Sequence, residues 1–373
     1  MSFSDFHGNT DIVRQLREML ARDRFPHAVI LAGAEGTGKY TLSLMLAQAM
    51  NCLQLQETDG LPDYCNACSN CLRIGQAREL ESLCSEAVEA REALRDTDKR
   101  ETRIFVQTHP DVLIVPPDPP QMMIKVDQVR HVINTIHYRP AEGRRRVFIF
   151  TDAAFIKEAA NALLKILEEP PDYATIFLLA RNPGDLLPTI RSRSVIFRFA
   201  PLSTGEIELD LAKHRPEWNA RQRELVARLS GGAVGMARSL DLAEYIESRK
   251  DALALLGVAT QSGDHSILFR TTENYRAGAE GKEKTDQLLR ALYALLKDLL
   301  ALTSGAPDLV RNIDIAAELK SLARTVDFRW LTEAAQQLGQ LQSGMRRNVL
   351  RSLSLDAFAL SLEPQTAPSG AGA

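Results

Sequence analysis

The chain has 373 residues, of which 45% are hydrophobic and 25% charged, and its formal net charge is −3. This length can bury a substantial core and is typical of two or three domains. The small net charge does not indicate binding of nucleic acid by the whole chain, so any DNA contact must come from local basic patches. No apolar run approaches the roughly 20 residues that span a bilayer, and the N-terminus lacks a signal-peptide pattern. We therefore expect a globular cytoplasmic protein without a membrane segment.

Short apolar runs alternate with helical patterns over the first 200 residues, which predicts an α/β domain with a parallel sheet. The runs are rich in β-branched, leucine and aromatic residues, as is usual for strands covered on both faces. The five predicted strands are residues 28–32, 112–115, 147–150, 175–180 and 195–199. Helices are predicted at 127–137 and 159–167, and Pro170 and Pro171 end the second.

Residues 201–240 predict a small helical lid, interrupted at Gly231 and Gly232, and the strand signal ends after it. Residues 241–363 predict an all-helical domain. A broad leucine stripe that is typical of a helix bundle comprises Leu288, Leu289, Leu292, Leu295, Leu296, Leu299 and Leu300. Residues 364–373 are small and include Pro and Gly, so we predict a disordered tail.

A phosphate-binding loop is indicated at residues 33–39, which read Gly-Ala-Glu-Gly-Thr-Gly-Lys between the first strand and a helix. Its glycines let backbone N–H groups turn inward, and Lys39 can reach β- and γ-phosphates. The next residue should carry the hydroxyl that binds Mg²⁺, but it is Tyr40, and Thr41 points about 100° around the helix. Two interpretations stay open: a structural relic, and a degenerate nucleotide site formed by Gly33, Gly36, Gly38, Lys39 and Thr41.

The predicted strand 147–150 should deliver an Asp-Glu pair, one acid for Mg²⁺ and one to polarise water. Residues 151–154 instead read Thr-Asp-Ala-Ala, so Asp152 is the one carboxylate there. Phosphoryl transfer depends on positioning and charge neutralisation. The loss of both the metal hydroxyl and an acid therefore predicts that this chain does not hydrolyse ATP alone.

A metal site is indicated by Cys65, Cys68 and Cys71, whose spacing is C-x2-C-x2-C, together with the preceding Cys52. Disulfides are rare in the cytoplasm, and four thiolates complete a tetrahedral structural Zn²⁺ site without an open position. An iron–sulfur cluster and free buried cysteines are the alternatives. Residues 52–71 are thus predicted as a zinc module, and Cys84 as an ordinary residue. The charged segment 76–103 predicts a helical insertion with one packed face, because its apolar residues recur at helical spacing: Leu80, Leu83, Cys84, Ala87 and Val88. We interpret the insertion as a solvated spacer, and a dedicated partner site is the alternative.

Two motifs are specific. Residues 158–171 read Glu-Ala-Ala-Asn-Ala-Leu-Leu-Lys-Ile-Leu-Glu-Glu-Pro-Pro, and residues 187–194 read Leu-Pro-Thr-Ile-Arg-Ser-Arg-Ser. The first resembles a helix of bacterial clamp-loader subunits, which are AAA+ proteins, and the second resembles their Ser-Arg-Cys motif with Ser194 in place of cysteine. Segments 25–28, 124–130 and 140–145 are also similar to that family. The resemblance covers most of residues 1–240. It implies an AAA+ P-loop domain over 1–200, a lid over 201–240 and a collar-type oligomerisation domain over 241–363.

Within this family, the altered phosphate loop and acid pair favour a delta-prime-type subunit over the active ATPase subunits, gamma or tau. The resemblance then implies a component of the DNA polymerase III holoenzyme, a nucleotidyltransferase assembly of DNA replication. Its implied partners are gamma/tau, delta, the sliding clamp and primer-template DNA. The resemblance also implies that Arg193 enters a neighbour's ATP site as an arginine finger, a contribution worth orders of magnitude in rate. A surface arginine paired with an acid is the alternative.

Two rival functions remain open from the sequence. An active ATPase of the same family predicts Mg²⁺-dependent hydrolysis by the pure chain. A zinc-dependent DNA-binding module predicts high, salt-sensitive affinity for DNA. The basic run 144–146 is short, and Lys125 and Arg130 are weak candidates for phosphate contacts. Asn182 and Arg238 match the nucleotide-sensing positions of active members poorly.

Overall fold

The computed structural model describes residues 2–260, 265–275, 279–345 and 350–363. The chain divides into two compact units. The first comprises Met1–Ser203 with Gly232–Met236, and the second comprises Thr204–Gly231 with Ala237–Ala373. The predicted tail at 364–373 lies outside the described residues.

The first unit contains all the strands of the described residues. They are β1 (Ala28–Ala32), β2 (Gln56–Thr58), β3 (Leu61–Asp63), β4 (Val106–His109), β5 (Val112–Val115), β6 (Arg146–Phe150), β7 (Ala174–Ala180) and β8 (Val195–Arg198). Its helices are α1 (Thr10–Ala21), α2 (Lys39–Asn51), α3 (Ser69–Gln76), α4 (Leu80–Glu92), α5 (Asp96–Glu101), α6 (Val126–Ile136), α7 (Lys157–Glu168) and α8 (Pro188–Arg191).

Six strands form one sheet in the order β4-β5-β6-β7-β1-β8. The five strands predicted from the sequence all occur and pair in parallel. The strand β4 adds an antiparallel edge next to β5. The predicted α/β class with a parallel sheet is therefore confirmed, with one antiparallel strand that the alternation of motifs did not predict.

Alternate residues of the central strands enter two separate hydrophobic clusters, one on each face of the sheet. In β1, Val29 and Leu31 belong to the cluster that includes α1 and α2. Ile30, between them, belongs to the cluster that includes α6 and α7. All seven residues of β7 are buried. Because both faces are covered, the strands need continuous apolar runs rather than an alternating pattern.

The second unit is helical throughout its described residues. Its helices are α9 (Thr204–His214), α10 (Ala220–Leu229), α12 (Leu242–Thr260), α13 (Ser266–Thr272), α14 (Ala279–Thr303), α15 (Ala316–Leu322), α16 (Phe328–Met345) and α17 (Arg351–Ser361), while α11 (Val234–Ser239) crosses the division between the units. The leucine stripe lies on α14, where Leu288 to Leu299 enter the core and Leu300 stays 38% exposed. In the described part of the chain, no helix has the length and apolarity required to cross a membrane.

Candidate functional site

The phosphate loop joins the end of β1 to the start of α2. Gly38 caps α2 with φ +88°, and a Cβ atom there would lie 2.8 Å from the ring of Phe6. The Thr37 hydroxyl donates a hydrogen bond to the carbonyl of Ala34 at 2.8 Å. The loop thus has the compact strand-loop-helix form, and glycine is required at its last turn.

The ammonium group of Lys39 is bound by its own loop. Its Nζ donates to the carbonyl oxygens of Gly33 at 2.7 Å and Ala34 at 2.5 Å. Burial lowers the pKa of Lys39 to about 8, against the opposing effect of Glu35. Nearby Arg181 lowers this pKa further, and Asp152 raises it. Lys39 therefore has two backbone partners within its own loop.

A second segment of the first unit contacts the loop at Gly36. The N–H of Gly235 donates to the carbonyl of Gly36 at 2.8 Å. Gly36 has φ +75°, and a Cβ atom there would lie 2.7 Å from the backbone nitrogen of Met236. A Cβ atom on Gly235 would lie 2.8 Å from the Gly36 carbonyl oxygen. The two backbones therefore touch directly, a contact that no local sequence pattern predicts.

Tyr40 is directed away from the phosphate loop. Its hydroxyl donates to the carbonyl of Ala77 at 2.5 Å. Burial, with a smaller effect of Cys84, raises the pKa of Tyr40 above its usual range. Ala77 is the C-cap residue of α3. The position that supplies a metal ligand in working P-loops thus contacts another helix. Thr41 follows on α2 and is half-buried.

The acidic side of the candidate nucleotide site has Asp152 after β6. Its carboxylate accepts a hydrogen bond from the N–H of Ala154 at 2.8 Å. Glu35 forms an exposed ion pair with Arg181 at 2.9 Å. The structure thus brings the loop glycines, Lys39 and one strand-end carboxylate to the same edge of the sheet, where α/β proteins bind ligands.

Asn182 and Arg238 serve local structure. The Asn182 side-chain oxygen accepts from the N–H of Gly184 at 2.8 Å and caps a short 3₁₀ turn. Arg238, in the second unit, donates from Nε to the buried carboxylate of Asp210 at 2.8 Å. Both side chains are therefore engaged within their own surroundings.

Arg193 follows the short helix α8 and is 37% exposed. Its guanidinium lies 2.9 Å from the carboxylate of Glu168 and donates to the carbonyl of Thr189 at 3.1 Å. Glu168 is 54% exposed, so water screens this ion pair and its net contribution to stability is small. Arg193 is thus both paired and able to exchange its partner.

The four predicted metal ligands come together around the end of α2. The Sγ atoms of Cys52, Cys65, Cys68 and Cys71 all lie within 4.8 Å of one another. Ligands of a tetrahedral zinc ion at about 2.3 Å are about 3.8 Å apart, so a small contraction would complete the coordination. The residues therefore fit a structural metal ion.

Backbone N–H groups point at these sulfur atoms, as they do around thiolates. Cys65 N–H donates to Sγ of Cys52 at 3.3 Å, and Cys68 N–H to Sγ of Cys65 at 3.2 Å. Burial opposes ionisation of the Cys68 thiol. Hydrogen bonds from the N–H groups of Cys71 and Leu53 and from the Cys71 and Cys65 side chains together outweigh it and lower the pKa to about 6. Burial raises the pKa of the Cys71 thiol. The arrangement favours anionic sulfur at one ligand before any metal binds.

The long interval between Cys52 and Cys65 contains a β-hairpin, β2–β3. Asp59 and Gly60 form its turn with φ +54° and +72°. An Asp-Gly pair is a strong hairpin signal, but the hairpin was not predicted because strands of three residues each show no alternation. The buried Arg17 on α1 binds this hairpin through the carbonyl oxygens of Thr58 at 2.6 Å, Leu61 at 2.9 Å and Pro62 at 3.0 Å.

The segment 140–145 is anchored beside the four-cysteine module, residues 52–71. The Asp111 carboxylate accepts from the N–H groups of residues 141, 142 and 143 at 2.7–2.9 Å. Burial opposes ionisation of Asp111, but these N–H groups outweigh it and lower its pKa. Asn51, at the end of α2, accepts from the N–H groups of Arg144 and Arg145. This segment thus connects the start of β5 to the metal-binding end of α2.

The charged insertion forms α4 and α5. Arg91 of α4 is 8% exposed and donates to Asp118, which is 4% exposed, at 2.6 Å. Leu80, Leu83 and Cys84 pack against the core of the first unit. The insertion is therefore anchored on one side, by apolar residues whose helical spacing predicted a packed face.

The family model described as "DNA polymerase III, delta subunit" matches residues 8–203. The delta-prime subunit of DNA polymerase III from Bacillus subtilis is 26% identical over 318 residues, which cover 84% of this chain and 83% of that protein. The Escherichia coli delta-prime subunit is 33% identical, with 58% of this chain and 62% of that protein covered. The Escherichia coli tau subunit is 26% identical, with 71% and 34% covered.

Proposed function

Because this chain belongs to the DNA polymerase III, delta subunit family, we propose that it acts as a delta-prime-type subunit of the clamp loader. In this role it supports the loading of the sliding clamp during DNA replication. It does not hydrolyse ATP itself, and it supplies Arg193 to the ATP site of a neighbouring ATPase subunit. The observation that carries the proposal is the hydrogen bond from the Tyr40 hydroxyl to the Ala77 carbonyl, which takes this side chain away from the phosphate loop.

The candidate nucleotide site of this chain lacks the metal-binding hydroxyl and the acid pair that hydrolysis requires. The Tyr40 hydroxyl is bonded to Ala77 instead of facing the phosphate loop. Lys39 is bonded to loop carbonyls, and Asp152 is the one acid at the end of β6. Catalysis of phosphoryl transfer needs a positioned metal and charge neutralisation. These features support a degenerate site over the rival active ATPase.

The exposure of Arg193 supports its proposed role in the ATP site of a neighbouring subunit. Its guanidinium is the exposed end of the 187–194 motif, and its partner Glu168 is itself exposed. A triphosphate offers a guanidinium more negative charge and more acceptor oxygens than one carboxylate does, so exchange from Glu168 to a neighbour's nucleotide is favourable. An arginine delivered in trans stabilises the charge of the transition state.

The cysteine cluster supports structural Zn²⁺. Four sulfur ligands complete a tetrahedral site and leave no open position for chemistry, so the ion would stabilise the fold of residues 52–71. The partners proposed are gamma/tau, delta, the sliding clamp and primer-template DNA. The second unit, which is helical throughout its described residues, is proposed as the oligomerisation domain.

Reconstitution of the clamp loader with and without this chain tests the proposal. DNA-stimulated ATP hydrolysis and clamp loading are measured with wild-type chain, Arg193→Ala and Arg14→Ala. Arg14 is a matched control, since it is an exposed arginine with a glutamate partner at 3.1 Å on α1. We expect Arg193→Ala to assemble and to lower the ATPase rate, and Arg14→Ala to behave as wild type.

Two results would contradict the proposal. An unchanged rate with Arg193→Ala would exclude the arginine finger. Rapid Mg²⁺-dependent hydrolysis by the pure chain, abolished by Lys39→Ala, would exclude the non-hydrolysing role and establish the rival active ATPase.

A further inference from the structure

Helix α2 connects the two candidate sites of the first unit. It begins with Lys39 of the phosphate loop, and its C-cap residue is Cys52 of the four-cysteine module. Its residues from Leu42 to Asn51 are all buried, so the helix is fixed within the core along most of its length. Any change in how α2 is held at one end can therefore reach the other.

Helix α3 packs against α2 and also has one end at the cysteines. Its N-cap is Cys68, and Cys71 lies in its first turn. The buried Gln48 of α2 donates to the carbonyl of Cys71 at 2.8 Å. Gly75 passes so close that a Cβ atom there would lie 3.2 Å from the Gln48 side chain. The two helices are thus in direct contact beside the metal ligands.

The other end of α3 is held by Tyr40. Ala77, its C-cap residue, has a carbonyl with no acceptor role inside the helix, and the Tyr40 hydroxyl binds it at 2.5 Å. Tyr40 lies in the first turn of α2, directly after Lys39, and its ring packs against the core. A serine or threonine at this position is too short to reach Ala77.

We propose that Tyr40 is a positioning residue that transmits metal occupancy to the phosphate loop. The residue that replaces the Mg²⁺-ligating hydroxyl holds the first turn of α2 to α3, and the metal holds the other end of α3 through Cys68 and Cys71. This inference rests on the structural-metal part of the proposed function. Tyr40 thus connects α2 to α3 at the position where working P-loops carry the Mg²⁺-binding hydroxyl.

The physical basis is the coupling of metal binding to folding. A metal that binds the folded module alone stabilises it by the free energy of binding. Helix α3 has eight residues and spans about 12 Å, so it is short enough to move as a unit. Thermodynamic linkage requires that the effect runs both ways: whatever loosens the Tyr40–Ala77 contact must also weaken metal binding.

Tyr40→Phe removes the hydroxyl and keeps the ring. Tyr173→Phe is a closely matched control, because the Tyr173 hydroxyl donates to the carbonyl of His137 at 2.6 Å, and His137 is the C-cap residue of α6. Both variants therefore remove one tyrosine-to-C-cap hydrogen bond from the first unit. Only Tyr40 contacts a helix that carries metal ligands.

Two readouts are measured on the full chain loaded with Zn²⁺. The first is amide hydrogen exchange at residues 39–44 and 70–78, and the second is the rate of metal transfer to a chelator. Loss of one such hydrogen bond should accelerate both by about fivefold in Tyr40→Phe. Tyr173→Phe should change exchange near residues 135–138 and leave metal transfer at the wild-type rate.

A third arm removes the metal from the wild-type chain. Exchange at residues 39–44 should rise in the wild type, and the rise should be smaller in Tyr40→Phe. Equal metal-transfer rates for wild type and Tyr40→Phe, or an unchanged phosphate loop on metal removal, would overturn the inference. Metal content is determined first, so that a chain without bound Zn²⁺ is recognised as a failure of the structural-metal proposal. Neither failure touches the Arg193 experiment.

Discussion

Arg193 and Glu168 form an ion pair at 2.9 Å that joins the ends of two motifs, residues 187–194 and 158–171. Glu168 is the last residue of α7, and Arg193 lies two residues before the start of β8. Both side chains are substantially exposed. The pair therefore holds the guanidinium at the surface without committing it to one partner.

Substitutions of Arg193 and of Glu168 should affect the ATPase rate of the complex differently. Arg193→Ala should lower the DNA-stimulated ATPase rate of the reconstituted complex by at least about tenfold, since an arginine finger is worth more than that. Glu168→Gln should leave the rate at or above the wild-type value, because it removes a competitor for the guanidinium. Steady-state hydrolysis measures both. A loss of equal size in the two variants would indicate a purely structural pair.

Lys39 should make stability depend on pH between about 8 and 10.5. Its pKa falls from 10.5 to about 8 in the fold, chiefly through burial. In that window the unfolded chain binds the proton and the folded chain releases it, so the folded state gains stability as the pH rises. Below pH 8 this gain is absent.

Denaturant midpoints of wild type and Lys39→Met, measured from pH 7 to 10, check this. The wild type should gain on the variant above pH 8. Lys157→Met, at an exposed lysine on α7, should show no such trend relative to wild type. A difference between wild type and Lys39→Met that is constant over the range would contradict the prediction.

Cys68 and Cys84 should differ in their effect on metal content. Cys68→Ser removes one of four clustered ligands, so the chain should hold Zn²⁺ below one equivalent, and residues 52–71 should exchange faster. Cys84 lies outside the cluster and is half-buried, so Cys84→Ser should retain one equivalent. Metal analysis after dialysis gives the result. Full occupancy in Cys68→Ser would exclude the four-sulfur site.

Truncation of Arg91 should destabilise the insertion. Asp118 would lose its 2.6 Å partner and keep a buried charge, with Arg103 at 3.9 Å the nearest compensation. We expect a cost of about 3 kcal/mol for Arg91→Ala, seen as lost exchange protection in α4. Arg91→Met combined with Asp118→Leu should recover most of it, because apolar pairs replace buried ion pairs well. A double variant as unstable as Arg91→Ala would contradict this explanation.

The central strands could be predicted from the sequence because burial on both faces leaves a continuous apolar run. The bounds of β1 and β5 match the predictions, and β6 and β7 each begin one residue earlier. The edge strand β4 was not predicted, since in its sequence Val-Gln-Thr-His only the two end residues are buried and four residues are too few to show a period.

The candidate sites were predictable where chemistry fixes the residue type and not where contacts are long-range. The cysteine spacing and the phosphate loop indicated their sites directly. The contact between Gly235 and Gly36 joins segments about 200 residues apart, and no local pattern marks it. The hydrogen bond from Tyr40 to Ala77 could not be predicted either, because every residue has a backbone carbonyl that can accept.

Arg17 recognises the β2–β3 hairpin entirely through main-chain oxygens. These hydrogen bonds do not depend on the side chains of the hairpin. They require only that the backbone conformation is kept, including the positive φ angles of Asp59 and Gly60 in the turn. The solvent-facing side chains of this hairpin can therefore differ among relatives. They can also be substituted by design, for instance to attach a reporter dye close to the cysteines.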